Sequence, residues 1–219
     1  MGGAVPKVLL KPAGSEQADS PSILEITVAV FAADPRCQRV VVAAAAENIP
    51  RFEELLSQHR SVRVVAGGKS RQESVMLGLL ALDSEGCLDG GTPVLVHDAA
   101  RCCLSLELVS RVLDGVAQHG AATAAVPVVD SLCRASEGLV SAYVDRDSAW
   151  SIQTPQGFIG TEILEAHRRA AAEGVEALDD AALVARSRPV AIVVGDRLNI
   201  KITQPDDLRV ARAALALQD

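Results

Sequence analysis

Asp98 and Arg101 stand three residues apart in Val94-Leu95-Val96-His97-Asp98-Ala99-Ala100-Arg101, where an apolar run empties into a short polar stretch. A carboxylate there can hold a divalent cation, and a guanidinium can grip a phosphate through two parallel hydrogen bonds. Together they suggest phosphate chemistry. The competing readings are an aspartate that caps the next helix and an arginine that merely pairs with it. Lys201 is embedded in Leu198-Asn199-Ile200-Lys201-Ile202, where an unpaired ammonium would be costly. A third candidate element is Gly67-Gly68-Lys69-Ser70-Arg71-Gln72-Glu73-Ser74. Paired glycines let a backbone approach a ligand closely, although such a pair is also common loop punctuation.

The elements around these groups must position them. Ser22-Ile23-Leu24-Glu25 has the form of a capping box and opens a helix to about Ala33. A β-branched run at 39–44, a short helix at 50–58 and a strand at 62–65 follow, the last ending at the glycine pair. Ser70-Arg71-Gln72-Glu73 repeats the box and opens a helix to about Leu82. After the strand at 94–97 come a helix at 105–118 stopped by Gly120 and a strand at 121–127. Further strands are expected near 149–153, 190–194 and 198–202, and helices near 161–172 and 179–186. A last helix starts at Pro205, with Asp206 and Asp207 complementing its dipole.

This alternation predicts an α/β fold, a mostly parallel twisted sheet flanked by helices, with ligands at the carboxyl ends of its strands. Between Val128 and Tyr143 the pattern changes. Two short strand-like runs flank Ala135-Ser136-Glu137-Gly138, which predicts an inserted β-hairpin arm of the kind that meets another subunit. The chain, 1–219, reads as one domain, with 128–147 as the arm.

With 219 residues, 49% hydrophobic but only 2% aromatic, the chain can build one core of alanine, valine and leucine. Its formal charge of −7 gives no basic field for nucleic acid, and an anionic membrane surface would repel it. No apolar run approaches the ~20 residues of a membrane span, and the first residues lack the apolar segment of a secretory signal. Gly2 does not open a myristoylation motif, because Pro6 stands where serine or threonine is needed. Cys37, Cys87, Cys102, Cys103 and Cys133 show no metal-binding spacing and read as thiols of a reducing compartment, so a cytoplasmic location is expected.

In chain order, Val5-Pro6-Lys7, Gly67-Gly68 through Arg71 to Ser74-Val75, Val96-His97-Asp98-Ala99-Ala100-Arg101 and Val144-Asp145-Arg146 carry a family resemblance. Gln153-Thr154-Pro155-Gln156-Gly157-Phe158, Asp179-Asp180 and Asn199-Ile200-Lys201-Ile202-Thr203 with Pro205 to Leu208 extend it. Each motif alone is weak, but their order and spacing over nearly the whole chain resemble the 2-C-methyl-D-erythritol 4-phosphate cytidylyltransferases. The resemblance implies a Rossmann-like nucleotidyltransferase fold and a homodimer that exchanges hairpin arms. It also implies transfer of CMP from CTP to methylerythritol phosphate with release of pyrophosphate, a step of isoprenoid precursor biosynthesis in the non-mevalonate pathway. Transfer to another polyol phosphate such as ribitol 5-phosphate is the near alternative. A non-catalytic dimeric homologue is the alternative from another class.

For single residues the resemblance implies the following. Lys7 and Lys201 act as catalytic cations at the α-phosphate. Gly67, Gly68, Arg71 and Ser74 form the nucleotide turn, whose exposed amides would read the cytosine edge. Asp98 binds the nucleotide through Mg²⁺, and Arg101, Ser131, Arg146, Thr154 and Thr203 bind the acceptor. Ser131 and Arg146 would serve the neighbouring subunit's site. In-line displacement at phosphorus demands placement and fixed positive charge. Its nucleophile is already anionic, so His97 reads as a structural, hydrogen-bonded residue. Cys102 stands where the family usually has proline, Ser131 where it has threonine, Cys133 near a usual lysine and Lys69 where an acidic residue is usual. The family's first strand and its glycine-rich, arginine-ending loop would precede Val5, with Met1-Gly2-Gly3 in the place of the loop's tail. The expectation for the 219 residues as written is severely impaired transfer.

Overall fold

The computed structural model describes residues 6–12 and 20–217. Met1-Gly2-Gly3 and Val5, which carry part of the sequence reading, lie outside those residues. Ser22 caps α1 (Ile23–Ala32) with the full reciprocal box. Glu25 N–H donates to Ser22 Oγ at 3.3 Å, and Ser22 N–H donates to Glu25 Oε2 at 2.8 Å. Then come β1 (Val40–Ala44), α2 (Ile49–Leu56), β2 (Val62–Ala66) and α3 (Arg71–Ser84). At α3 only half of the expected box forms. Ser70 Oγ accepts from Glu73 N–H at 3.1 Å, but the Glu73 carboxylate turns to Lys69 N–H at 2.7 Å.

The chain continues through β3 (Pro93–Val96), α4 (Leu106–His119) and β4 (Ala121–Pro127) to the hairpin strands β5 (Leu132–Ser136) and β6 (Leu139–Val144). After these come β7 (Trp150–Ile159), α5 (Gly160–Glu173), α6 (Asp180–Val184), β8 (Ala191–Val194) and α7 (Asp207–Leu215). Four strands pair in the order β3–β7–β4–β8, and β1 and β2 form a separate parallel ladder. Within the four, β3, β4 and β8 run the same way and β7 runs against them. The α/β expectation holds, with one antiparallel strand in the sheet's interior.

The alanines of β4 are the reason helices can lie close. A methyl group on Gly115 of α4 would stand 2.8 Å from the Ala122 Cβ, and one on Gly157 of β7 would stand 2.6 Å from Val116 Cγ2. Leu108, Val109, Val112 and Val116 of α4 therefore press on Ala122 and Ala124. Strand alternation puts Ala121 and Phe158 on the other face, with Ile163, Leu164, Val184 and Leu79. Close packing of small residues fills the core that aromatic rings would fill elsewhere.

Two departures from the sequence expectation shape the site. The strand expected near 149–153 runs on to Ile159, through Thr154-Pro155. Its register slips there. Thr123 pairs with Gln156 and Ala125 with Ile152, so residues 153–155 bulge opposite Ala124. Proline has no N–H for a ladder, and bulges are where sheets admit one. The strand expected at 198–202 does not form. Leu198, Ile200 and Ile202 pack against Ile23, Cys102, Cys103 and Ala211, so their apolar alternation reports burial without strand pairing.

The hairpin forms as expected, turning at Glu137 (φ 52°) and Gly138 (φ 81°). Every residue from 129 to 148 is exposed. Among the described residues no helix is long and apolar enough to cross a membrane.

Candidate active site

Beyond Val96 the chain turns out of the sheet, and His97 fixes the turn. Its Nε2 lies 3.0 Å from Arg101 O, which can only accept, so Nε2 carries the proton. Nδ1 is then a bare acceptor and takes the Thr154 hydroxyl proton at 3.0 Å. Thr154 Oγ1 in turn accepts from Asp98 N–H at 3.0 Å. Burial lowers the His97 pKa to about 4, so the ring is neutral, as this chain of bonds requires. His97 is a brace, in line with its structural reading.

The Asp98 carboxylate gathers cations. Oδ2 lies 2.8 Å from Lys201 Nζ and 3.9 Å from Arg101 Nε, and Oδ1 accepts from Arg71 Nε at 3.1 Å. Burial works to raise this carboxyl's pKa, but Lys201 and then Arg71 outweigh it and hold it down at about 2. Burial also lowers the Arg101 pKa, against the pull of Asp98. Arg101 Nη1 donates to Asn199 O at 2.7 Å, which ties the Asp98 loop to the segment carrying Lys201. That segment hangs on the β7 bulge by side chains. Asn199 Nδ2 donates to Thr154 O at 2.8 Å, and Gln153 Nε2 donates to Asp196 O at 2.7 Å. Ile202 N–H closes the arrangement on Ala100 O at 2.9 Å.

At the end of β2, Gly67 and Gly68 turn into α3. A Cβ on Gly68 would lie 2.2 Å from Glu73 Cγ, and one on Gly67 would lie 3.0 Å from Ser74 Oγ, so the turn packs on its own helix only because both are glycine. The amides expected to read the base are occupied. Gly67 N–H donates to Ala44 O at 2.7 Å, Gly68 N–H to Ser74 Oγ at 3.0 Å and Lys69 N–H to Glu73 Oε2 at 2.7 Å. The end of β1 takes the first donor, and the Ser74 hydroxyl and the half-formed box take the other two. Arg71, the first residue of α3, spans the gap to the phosphate side through Asp98 and also donates Nη1 to Asp180 Oδ2 at 2.7 Å.

Arg71, Asp98, Arg101, Thr154 and Lys201 are thus linked by one network of contacts, and Gly67, Gly68 and Ser74 form the turn that opens the helix Arg71 heads. Lys7 heads the short turn Lys7–Leu9 at its flank. Asp207 accepts from Gln204 N–H, Thr203 N–H and the Thr203 hydroxyl, and these bonds with the nearby charge of Lys7 lower its pKa. Lys7 therefore sits beside the turn that continues from Lys201. Ser131 and Arg146 lie apart, at the base of the exposed hairpin. Arg146, among the described residues, reaches Val129 O at 3.3 Å and Asp147 at 3.9 Å. Among the described residues no cluster of three His, Cys, Asp or Glu side chains could hold a metal; Asp98 brings its carboxylate to the three cations. Sequence reasoning missed Gln153, His167, Asp180 and Asn199 as positioning groups. Its one available signal was the doubled Asp179-Asp180, where a helix cap needs only one carboxylate.

An open α/β sheet, a glycine turn opening a helix and three cationic side chains converging on one carboxylate at a strand end define a nucleotidyltransferase. The profile of the 2-C-methyl-D-erythritol 4-phosphate cytidylyltransferase family matches residues 5–217, and the chain belongs to that family. The 2-C-methyl-D-erythritol 4-phosphate cytidylyltransferase of Geobacillus kaustophilus is 41% identical over 194 residues, 87% of this chain and 82% of its own. The crystal structure of the Thermus thermophilus enzyme of that name matches with a TM-score of 0.80 at 36% identity, covering 97% of this chain and 95% of its own. That of Francisella tularensis matches with a TM-score of 0.82 at 25% identity, covering 96% and 93%.

Proposed function

We propose that this chain transfers CMP from CTP to 2-C-methyl-D-erythritol 4-phosphate, forming 4-diphosphocytidyl-2-C-methyl-D-erythritol and releasing pyrophosphate. The observation that carries the reading is the convergence of Lys201, Arg71 and Arg101 on Asp98 beside the Gly67-Gly68 turn. An acceptor phosphate oxygen attacks the α-phosphorus and pyrophosphate departs on the opposite side. Charge builds on groups that already repel one another, and preorganised cations offset it. Lys201, held by Asp98, and Lys7 at its flank supply that charge at the α-phosphate. The turn's amides are spent, so the carbonyls of Gly67 and Gly68 are the groups to accept from the cytosine amino group, with Ser74 bracing them. The Thr154 hydroxyl donates its hydrogen bond to His97 and keeps a lone pair for an acceptor hydroxyl, while Arg101 and Thr203 face the acceptor's phosphate.

A single carboxylate suits Mg²⁺, which binds through one or two carboxylates and takes its other ligands from substrate phosphates and water. Asp98 would hold it, and the ion would neutralise triphosphate charge. Ser131 and Arg146 complete the site of a second copy in a homodimer, whose contact covers Leu139 and Tyr143 of the arm. The test is pyrophosphate release from CTP and Mg²⁺ with each of two acceptors. Methylerythritol phosphate should support release and ribitol 5-phosphate should not. Equal rates, or release only with ribitol 5-phosphate, would overturn the acceptor assignment.

A further inference from the structure

Arg71 joins the nucleotide turn to the phosphate cluster, and a buried pair holds Arg71 in turn. Asp180 is 1% exposed. Its Oδ2 accepts from Arg71 Nη1 at 2.7 Å, and its Oδ1 lies 2.9 Å from Nε2 of His167, also 1% exposed. Facing a guanidinium, Asp180 acts as an acceptor, so His167 Nε2 carries the proton. His167 Nδ1 has no hydrogen-bond partner among the described residues. A buried ring nitrogen without a partner destabilises the fold, and the single bond the ring does make fixes the plane of one carboxylate. Asp180 is not needed as a cap either, because Asp179 Oδ1 already accepts from Ala182 N–H at 2.8 Å.

We propose that Asp180, oriented by His167, is a positioning residue for nucleotidyl transfer. It holds Arg71 in the orientation that clamps Asp98, and through Asp98 it sets Lys201. The contacts run without a break from the site into the core: Lys201, Asp98, Arg71, Asp180, His167. They join the loop after β3 to α3, α5 and α6. The inference rests on the cytidylyl-transfer reading of the cluster. A merely structural pair would tie α6 to α5 and do nothing through Arg71.

A double-mutant cycle separates the two. Asp180→Asn should lower kcat by about tenfold to a hundredfold, with KM for CTP within about threefold, the pattern of an interaction needed mainly in the transition state. In an Arg71→Ala background the same substitution should cost nothing further. His167→Leu should reproduce Asp180→Asn, and His167→Gln, which keeps a donor, should recover most of the rate. Losses that multiply in the Arg71→Ala background would overturn the proposal. A readout without turnover is the exchange of the Arg71 Nε–H proton, followed by NMR on ¹⁵N-labelled protein. It should be slow in the parent and fast in Asp180→Asn and in His167→Leu, and equal protection in all three would overturn the proposal. If the parent fails to transfer CMP, the functional reading fails while this exchange measurement still decides the positioning role. If Asp180→Asn does not fold, the two His167 variants carry the same comparison.

Discussion

The Asp98 cluster and the hairpin arm present the same kinds of side chain in opposite settings. In the cluster, Asp98 is 15% exposed and Arg101 12%, and their bonds reach α3, β7 and the segment that carries Lys201. On the arm, Arg146 is 57% exposed and its ion pair with Asp147 spans 3.9 Å. Exposed pairs contribute about 0–1 kcal/mol, so its pair hardly holds Arg146, whereas Asp98 is held from three sides at once. One chain therefore preorganises the cluster by itself, while the Arg146 side chain on the arm is left without comparable support. Its apolar residues agree: Leu139 is 74% and Tyr143 79% exposed, and a row of such residues marks an interaction surface.

The contrast can be broken most forcefully at its dense end. Lys201→Ala should lower kcat by about 10²–10³, the usual effect of losing one preorganised donor to the transition state. Arg71 and Arg101 still face Asp98 in that variant, so the thermal midpoint should hardly move. A rate within tenfold of the parent would remove Lys201 from the chemistry. The arm gives the next effect. Arg146→Ala should lose most activity through a raised KM for the acceptor, yet mixing it with Lys201→Ala should restore roughly a quarter of the parent rate. Half the exchanged dimers would then be mixed, and each would hold one intact site of two. No recovery on mixing, with exchange verified by sedimentation of tagged chains, would mean that the arm serves its own subunit.

The two regions also differ in how far the sequence could be read. Ser22 and Glu25 announced α1, and Glu137-Gly138 announced the hairpin, because caps and turns are set by neighbours in the chain. The glycine pair and Asp98 were legible for the same reason. The rest depends on partners far away. Residues 198–202 alternate like a strand, but nothing pairs with them, and Asn199 and Ile202 hold them to Thr154 and Ala100 instead. The strand expected near 149–153 runs on past Pro155, which the bulge against Ala124 admits. Asp180 lies 109 residues from Arg71, so the doubled Asp179-Asp180 shows a carboxylate spare as a cap but not what it holds.

The smallest expected effect concerns the brace beneath the cluster. His97 is neutral in the fold, with a pKa of about 4 against an ordinary 6.5. Between those values the unfolded chain binds a proton that the folded chain does not, so stability falls as pH drops from 6.5 toward 4, with a slope of up to about 1.4 kcal/mol per pH unit. Asp98 acts lower down. Its folded pKa of about 2 lies below its ordinary 3.8, so the stability it contributes is present above 3.8 and is lost as pH falls toward 2. His97→Gln keeps a donor for Arg101 O but cannot take up a proton. It should flatten the upper window and leave the lower one intact when urea midpoints are followed from pH 7 to pH 3. An unchanged slope between 6.5 and 4 would mean that His97 is not the neutral brace of the Asp98 turn. The stiffness of the cluster relative to the arm would then rest on its ion pairs and on the Asn199, Gln153 and Ile202 tethers.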